Sequence, residues 1–168
     1  MLARSTDRVS VFSVPGPAAG VLVLLLILPM FLSSCGAVIF TRKVFGETLD
    51  MEVKVADVAN DEYPLAMEVV YVYDEELLKT LLQMSAKQWF EKRNQLKNDF
   101  PDDSGFESWQ WEFTPGQEEM LHLPLKGGIE GGIIFVNYFN EGQHRVRIQP
   151  FRDVKVRLEY SDFKVDPL

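Results

Sequence analysis

The chain has 168 residues, of which 46% are hydrophobic and 12% aromatic, and its formal net charge at pH 7 is −8. This length supports one domain with its own core, and the acidic balance argues against nucleic acid or anionic lipid surfaces as binding partners. The single cysteine excludes an internal disulfide, so the stability of the domain must come from packing.

The first distinctive element is the apolar run 21–32, which follows Arg4 and Arg8. As a helix its residues would span about 18 Å at ~1.5 Å each, well short of the ~30 Å hydrocarbon layer. A basic start and a short apolar run are typical of a secretory signal. Leu32, Ser33 and Ser34 stand directly before Cys35 and have the pattern of a lipobox. We therefore expect cleavage before Cys35 and attachment of acyl chains, palmitate among them, to this residue. The alternative is an ordinary secretory signal followed by a chance cysteine.

With cleavage before Cys35, the chain is predicted to consist of a lipoprotein signal peptide (1–34), a lipidated tether (35–46) and a periplasmic domain (47–168). The signal carries Arg4, Arg8 and Asp7 out of 17 basic and 25 acidic residues, so the mature part has a net charge of about −9. Three acyl chains make such an anchor effectively permanent, since one chain alone binds only marginally. Gly36 follows the cysteine where aspartate would mark inner-membrane retention, which favours the periplasmic face of the outer membrane.

Two strands open the mature domain. Residues 47–58 alternate between apolar and polar side chains, which predicts a half-buried strand. Residues 60–62 form a predicted turn. Residues 64–73 are rich in β-branched and aromatic side chains and predict a second, more buried strand.

A helical insertion is predicted next, over residues 74–105. Acidic residues 74–76 favour a helix start, and Leu78, Leu82, Ser85 and Trp89 would share one face. Ser85 and Gln88 fit a capping box, which predicts two helices, about 75–84 and 86–97, joined by a bend. Residues 101–105, which contain proline, aspartates and glycine, end the insertion.

The rest of the chain is strand-like. Alternation or continuous apolar character predicts strands at 107–113, 118–125, 131–139, 144–149 and 153–163, with turns between them. The 131–139 strand is the most apolar and is expected to be central. The chain is therefore predicted to be mainly β, a transthyretin-like or immunoglobulin-like β-sandwich of seven to eight strands with the insertion after the second strand.

No pattern of catalytic or metal-binding residues stands out. His122 and His144 are isolated in strand-like alternation, so a solvated or hydrogen-bonded role is favoured over a zinc ligand. No nucleophile elbow is present, and the acidic pairs 102–103 and 118–119 have the positions of solvated turn residues. We expect no enzyme activity, no metal and no cofactor other than the covalent lipid.

Four residues are candidates for partner binding. Trp109 and Trp111 share a strand face and belong either to the sandwich core or to an aromatic patch for a partner. Arg145 and Arg147 also share a face, where they either pair with acidic neighbours or offer a local basic spot.

A strand after Pro64 leads into a helical insertion, a Pro115-Gly116-Gln117 turn follows, and an aliphatic strand runs from Ile133 to Tyr138. This order of elements resembles the outer-membrane lipoprotein of the type VI secretion system, the TssJ family. The arginine usual in the family's second strand is absent here, where Glu68 and Tyr71 stand.

The resemblance implies a structural role. The lipid would hold the domain in the outer membrane, and the domain would bind the periplasmic part of an inner-membrane secretion component. The alternatives are a pilotin-like lipoprotein, a ligand-binding periplasmic lipoprotein and, least favoured, an envelope hydrolase that uses His122 or His144.

Overall fold

The structure, a computed structural model, describes residues 48–101 and 104–168, all within one compact unit. Cys35, its lipobox (Leu32, Ser33, Ser34) and the predicted tether lie outside these ranges. The described residues form eight strands and two α-helices: β1 (Thr48–Val55), β2 (Leu65–Val72), α1 (Glu75–Leu81), α2 (Ala86–Asp99), β3 (Phe106–Phe113), β4 (Glu118–Pro124), β5 (Gly131–Val136), β6 (Arg145–Ile148), β7 (Val154–Leu158) and β8 (Phe163–Pro167).

The strands form two four-stranded sheets. The first sheet has the order β4-β1-β7-β8, in which β1 and β7 are parallel, and the second has the order β3-β2-β5-β6, which is antiparallel throughout. The predicted mainly-β sandwich with helices after the second strand is confirmed. The predicted central position of the 131–139 strand corresponds to β5, which lies between β2 and β6.

The core lies between the sheets because alternate residues of each strand point inward. In β1 the inward residues Leu49, Met51 and Val53 are fully buried, while the residues between them are partly exposed. The same alternation in β7 buries Val154, Val156 and Leu158, as the sequence pattern predicts.

Strand β2 is buried on both faces because α1 and α2 cover the outer face of the second sheet. This outer layer is a second core, built from three aromatic residues and their aliphatic neighbours: Val70, Val72, Leu77, Leu78, Leu81, Ala86, Trp89, Phe106, Ile133 and Phe135. The helical insertion is therefore an integral layer of the domain.

The bend between the helices falls at Ser85, as predicted. The Ser85 hydroxyl accepts from the backbone N–H of Gln88, and the Gln88 side chain accepts from the backbone N–H of Ser85, which completes the capping box. The prediction that Leu78, Leu82, Ser85 and Trp89 share one helix face is wrong in one respect. Ser85 caps α2 instead of packing, because α1 already ends at Leu81.

Two further sequence-based expectations are wrong. Residues 153–163 form two strands, β7 and the start of β8, because a turn closed by a 2.9 Å bond from Glu159 N–H to the Asp162 carbonyl reverses the chain. His144 lies in the loop before β6, with φ of 41°, and not within the strand.

The registers place every connection at one of two ends of the sandwich. Loops 56–64, 114–117, 137–144 and 159–162 share one end, here called the loop end. Thr48, the first described residue, lies at the opposite end, here called the N-terminal end. In the described part of the chain, neither helix has the length and apolar character needed to cross a membrane.

Candidate partner-binding site at the loop end

Exposed apolar side chains are concentrated at the loop end. The described residues include six large hydrophobic side chains that are exposed, and four of them are in this group: Val58, Tyr63, Phe139 and Tyr160. Phe139 is 66% exposed, and its ring centroid lies 5.4 Å from that of Tyr63. We call these four residues the aromatic site. Exposed aromatic clusters of this kind mark binding surfaces, because their hydration is unfavourable in the free protein.

The backbone that presents Tyr63 is unusual. Asn60, Asp61 and Glu62 all have positive φ, at 51°, 56° and 66°. For residues with a side chain this left-handed conformation costs roughly 1–2 kcal/mol each. Such a run persists only when the surrounding structure stabilises it, and it is typical of functional loops.

Asn60 supplies that stabilisation. Its side chain is 2% exposed, and its Oδ1 accepts a 2.8 Å hydrogen bond from the backbone N–H of Phe139. Its Nδ2 donates to the Pro64 carbonyl at 3.2 Å, and its backbone N–H donates to the Tyr160 carbonyl at 2.9 Å. One residue therefore joins three loops and holds three members of the aromatic site in place. The sequence pattern predicts only a turn at Asn60, although asparagine tolerates positive φ better than most residues.

A second set of contacts stabilises the loop that carries Phe139. The Tyr138 hydroxyl donates to the carbonyls of Asp162 at 2.8 Å and Glu159 at 3.1 Å. Burial raises the pKa of Tyr138 well above its usual range. The ring centroid of His144 lies 4.9 Å from that of Tyr138. The Nε2 atom of His144 lies 3.0 Å from the Asn140 carbonyl oxygen, and its Nδ1 atom lies 3.2 Å from an Asp162 carboxylate oxygen. His144 thus has a role in the loop structure.

The rim of the aromatic site is acidic. Loops 56–64, 137–144 and 159–162 contain no lysine or arginine and carry six carboxylates: Asp57, Asp61, Glu62, Glu141, Glu159 and Asp162. A hydrogen bond with the Asp61 carboxylate raises the pKa of Tyr160. A surface of this composition suits a partner with an apolar contact area surrounded by basic residues.

The four residues predicted for partner binding are not brought into one site. Trp109 and Trp111 lie on the inner face of β3, where their half-buried rings pack against the main core. Arg145 and Arg147 lie on the outer face of β6, opposite Phe135 and Ile133, on the side covered by helices.

The remaining candidates do not assemble a reactive centre within the described ranges. His122 is exposed on the outer face of the first sheet, and its Nδ1 lies 2.8 Å from an Asp50 carboxylate oxygen. No group of three or more potential metal ligands occurs among residues 48–101 and 104–168. A surface cleft of about 630 Å³ lies between the start of α2 and loop 137–144. Its lining lacks lysine and arginine apart from Lys87.

Comparisons with known proteins give no match by sequence, either to a protein-family model or to a curated protein. The fold, however, matches solved structures. The type VI secretion lipoprotein TssJ1 from Pseudomonas aeruginosa aligns with a TM-score of 0.57 at 10% identity, over 73% of this chain and 97% of that chain. This chain has a TssJ-like fold.

Two other solved structures agree. The lipoprotein Lip from Serratia marcescens, described as a membrane-bound component of the type VI secretion system, gives a TM-score of 0.55 at 14% identity over 73% of this chain and 96% of that one. A structure described as the C-terminal domain of the type VI protein TssM from EAEC gives a TM-score of 0.55 at 10% identity, over 73% of this chain and 99% of that chain.

Proposed function

We propose that this protein is a lipid-anchored component of a type VI secretion membrane complex. In this proposal Cys35 carries the lipid in the outer membrane, and the domain binds the periplasmic part of an inner-membrane component through its aromatic site. The observation that carries the proposal is the position of the aromatic site, on a TssJ-like fold, at the end of the sandwich opposite Thr48.

The strand geometry explains why this position matters. The predicted tether joins the domain at Thr48, and β1 runs from there toward the loop end. Its eight residues, at ~3.3 Å each, cover about 26 Å. A domain anchored through Cys35 therefore has its aromatic site on the side away from the N-terminal attachment. That side suits a partner that approaches from the inner membrane.

The energetics of the loop end also suit binding. Aromatic side chains in the centre of an interface supply most of the binding free energy in many complexes. The left-handed turn and the Asn60 contacts hold Tyr63 and Phe139 in position before a partner arrives, so less conformational entropy is lost on association. The acidic rim adds long-range attraction for a basic partner surface.

The partner is proposed to be a TssM-like protein, whose C-terminal domain is named in one of the matching structures. The test uses the mature lipidated protein in detergent and the immobilised C-terminal periplasmic domain of the TssM homologue from the same organism. The double variant Tyr63→Ser/Phe139→Ser should weaken binding at least about tenfold, since hot-spot truncation costs ~2 kcal/mol or more. Met120→Ser, which removes an exposed apolar side chain from β4, is the matched control and should bind as the wild type does.

Two results would contradict the proposal. Unchanged affinity of the double variant would move the contact away from the aromatic site. Absence of wild-type binding, together with capture of a secretin or a small molecule, would favour the pilotin-like or ligand-binding alternative.

The anchor is tested separately by Cys35→Ser. We expect this variant to leave the outer-membrane fraction while its circular dichroism spectrum remains that of a folded β protein. Continued sedimentation of the variant with outer membranes would refute lipid anchoring at Cys35.

A further inference from the structure

The described strands leave four sheet edges, at β3 and β6 in the second sheet and at β4 and β8 in the first. Strand β3 is the longest of these edge strands, with eight residues. All eight residues pair with β2 in unbroken register, from Phe106 opposite Val72 to Phe113 opposite Leu65. Because β3 has only one neighbour among the described strands, the backbone groups on its other side have no ladder partner there.

Edge strands are usually protected against further pairing by prolines, lysines, bulges or short length. Strand β6 has only four residues, β8 contains Lys164 and Pro167, and β4 ends at Pro124. Strand β3 has none of these features. Its middle section, residues 108–112, is half-buried to exposed along the edge. A long, regular and unprotected edge is the template that strand addition requires.

The two faces of this edge differ in chemistry. On the inner side Trp109 and Trp111 present half-buried rings beside the core. A cleft of about 280 Å³, lined by Glu107, Ser108, Trp109, Pro124 and Lys126, adjoins them. On the outer side Gln110 and Glu112 are exposed, and Glu112 makes no ion pair within the described residues. An added strand would therefore meet aromatic surface on one face and an exposed carboxylate on the other.

We propose that the free edge of β3 binds an extended segment of a partner protein as an additional strand. The segment has alternating apolar and basic side chains, of which the apolar ones contact Trp109 and Trp111 and the basic ones pair with Glu112. Charge favours this occupant over a second copy of the chain. Two copies would bring acidic edges together, and each chain carries a net charge of −8. This surface is separate from the aromatic site and does not rest on the proposed function.

The probe is a synthetic ten-residue peptide of alternating valine and lysine, added to the mature lipidated protein in detergent. Hydrogen–deuterium exchange followed by mass spectrometry reports each strand. We expect slower exchange at residues 106–113, with no change at β6 or β8. The same peptide with every backbone amide N-methylated should give no protection, because it cannot donate ladder hydrogen bonds.

Glu112→Lys should weaken the peptide-dependent protection of residues 106–113 by up to about fivefold. Glu91→Lys, which makes the same charge change on the exposed face of α2, should leave it unchanged.

Four outcomes of the peptide experiment would overturn the proposal: no protection of 106–113 at millimolar peptide, equal protection by the N-methylated peptide, protection of a different edge, or equal weakening by Glu91→Lys. Protection of 106–113 that appears without peptide and increases with protein concentration would assign the edge to a second copy of the chain, and would equally overturn a heterologous partner.

Discussion

The indole Nε1 of Trp89 donates a 3.0 Å hydrogen bond to a carboxylate oxygen of Glu68, and neither residue is more than 1% exposed. Glu68 lies on the outer face of β2, and Trp89 lies on α2 with its ring stacked 5.0 Å from that of Phe135. Arg93, one turn further along α2, forms an ion pair with the same carboxylate. A single buried acidic side chain thus joins the helical layer to the sheet.

This contact predicts the stability of the helical layer. Glu68→Ala should lower the free energy of unfolding by about 3 kcal/mol, because it leaves the Trp89 N–H and the Arg93 guanidinium without their buried partner. Glu68→Gln is the matched control and should have a smaller effect, since the amide oxygen still accepts from Trp89. Urea denaturation followed by far-UV circular dichroism measures both. A change below about 0.5 kcal/mol for Glu68→Ala would show that the contact is not needed to hold α2 on the sheet.

Two buried tyrosines should respond in opposite ways to loss of the hydroxyl. The Tyr71 hydroxyl is fully buried and has no hydrogen-bond partner among the described residues, whereas that of Tyr138 donates to two carbonyls. Tyr71→Phe should leave stability unchanged or raise it by about 1 kcal/mol, and Tyr138→Phe should lower it by about 1–2 kcal/mol. Thermal denaturation of the two variants compares them directly. Equal destabilisation by both would contradict the assigned roles.

The same tyrosines predict an alkaline limit of stability. Burial raises the pKa of both hydroxyls in the folded domain above the unfolded value of about 10. Their contribution is therefore fully present below pH ~10 and is lost as pH rises toward the folded-state values. The melting temperature should fall between pH 9 and 11.5, and this fall should be shallower in Tyr71→Phe. The same slope in the variant and the wild type would show that Tyr71 does not titrate on unfolding.

The left-handed turn predicts separate effects on stability and binding. Asn60→Ala should lower the free energy of unfolding by about 2 kcal/mol, since the Phe139 N–H loses its buried acceptor. Glu62→Gly, at an exposed position with φ of 66°, should leave stability unchanged or raise it by up to about 1 kcal/mol through loss of strain. Urea denaturation measures the effect of each variant on stability, and the TssM-domain binding assay measures its effect on binding. Tight binding by Asn60→Ala would show that the partner does not need the ordered turn.

The outer face of the first sheet predicts acid sensitivity. The Lys155 ammonium, with the Lys54 ammonium beside it, lowers the pKa of Glu52 below the ordinary value of 4.5. Because the pKa of Glu52 is lower in the folded domain than in the unfolded chain, this stabilisation is present above pH 4.5. It is lost as pH falls through the folded-state pKa. Glu52→Gln should therefore lose less stability than the wild type between pH 5 and 3. Parallel stability curves for the two proteins would exclude this contribution.

Local patterns along the chain determined much of the architecture. The alternation in residues 48–55 specifies which side chains of β1 are buried, because side chains of a strand point to opposite faces in turn. The capping box of Ser85 and Gln88 specifies where α2 begins, because its hydrogen bonds join residues three positions apart. These features depend on near neighbours in the chain, so the sequence is sufficient to find them.

The candidate site depended on long-range contacts. Asn60 and Phe139 are 79 positions apart in the chain and meet only because β2 and β5 pair in one register. The parallel pairing of β1 with β7, and the turn that divides residues 153–163 into β7 and β8, likewise depend on which strands become neighbours. Trp109 and Trp111 share a face in any strand, but only the sheet order places them on an edge strand of the described sheets. The sequence thus determined most of the elements and their buried faces, because hydrophobic periodicity and capping are local. The tertiary structure alone decided which loops meet and which of the described strands lie at the sheet edges, because pairing between distant segments has no local signature.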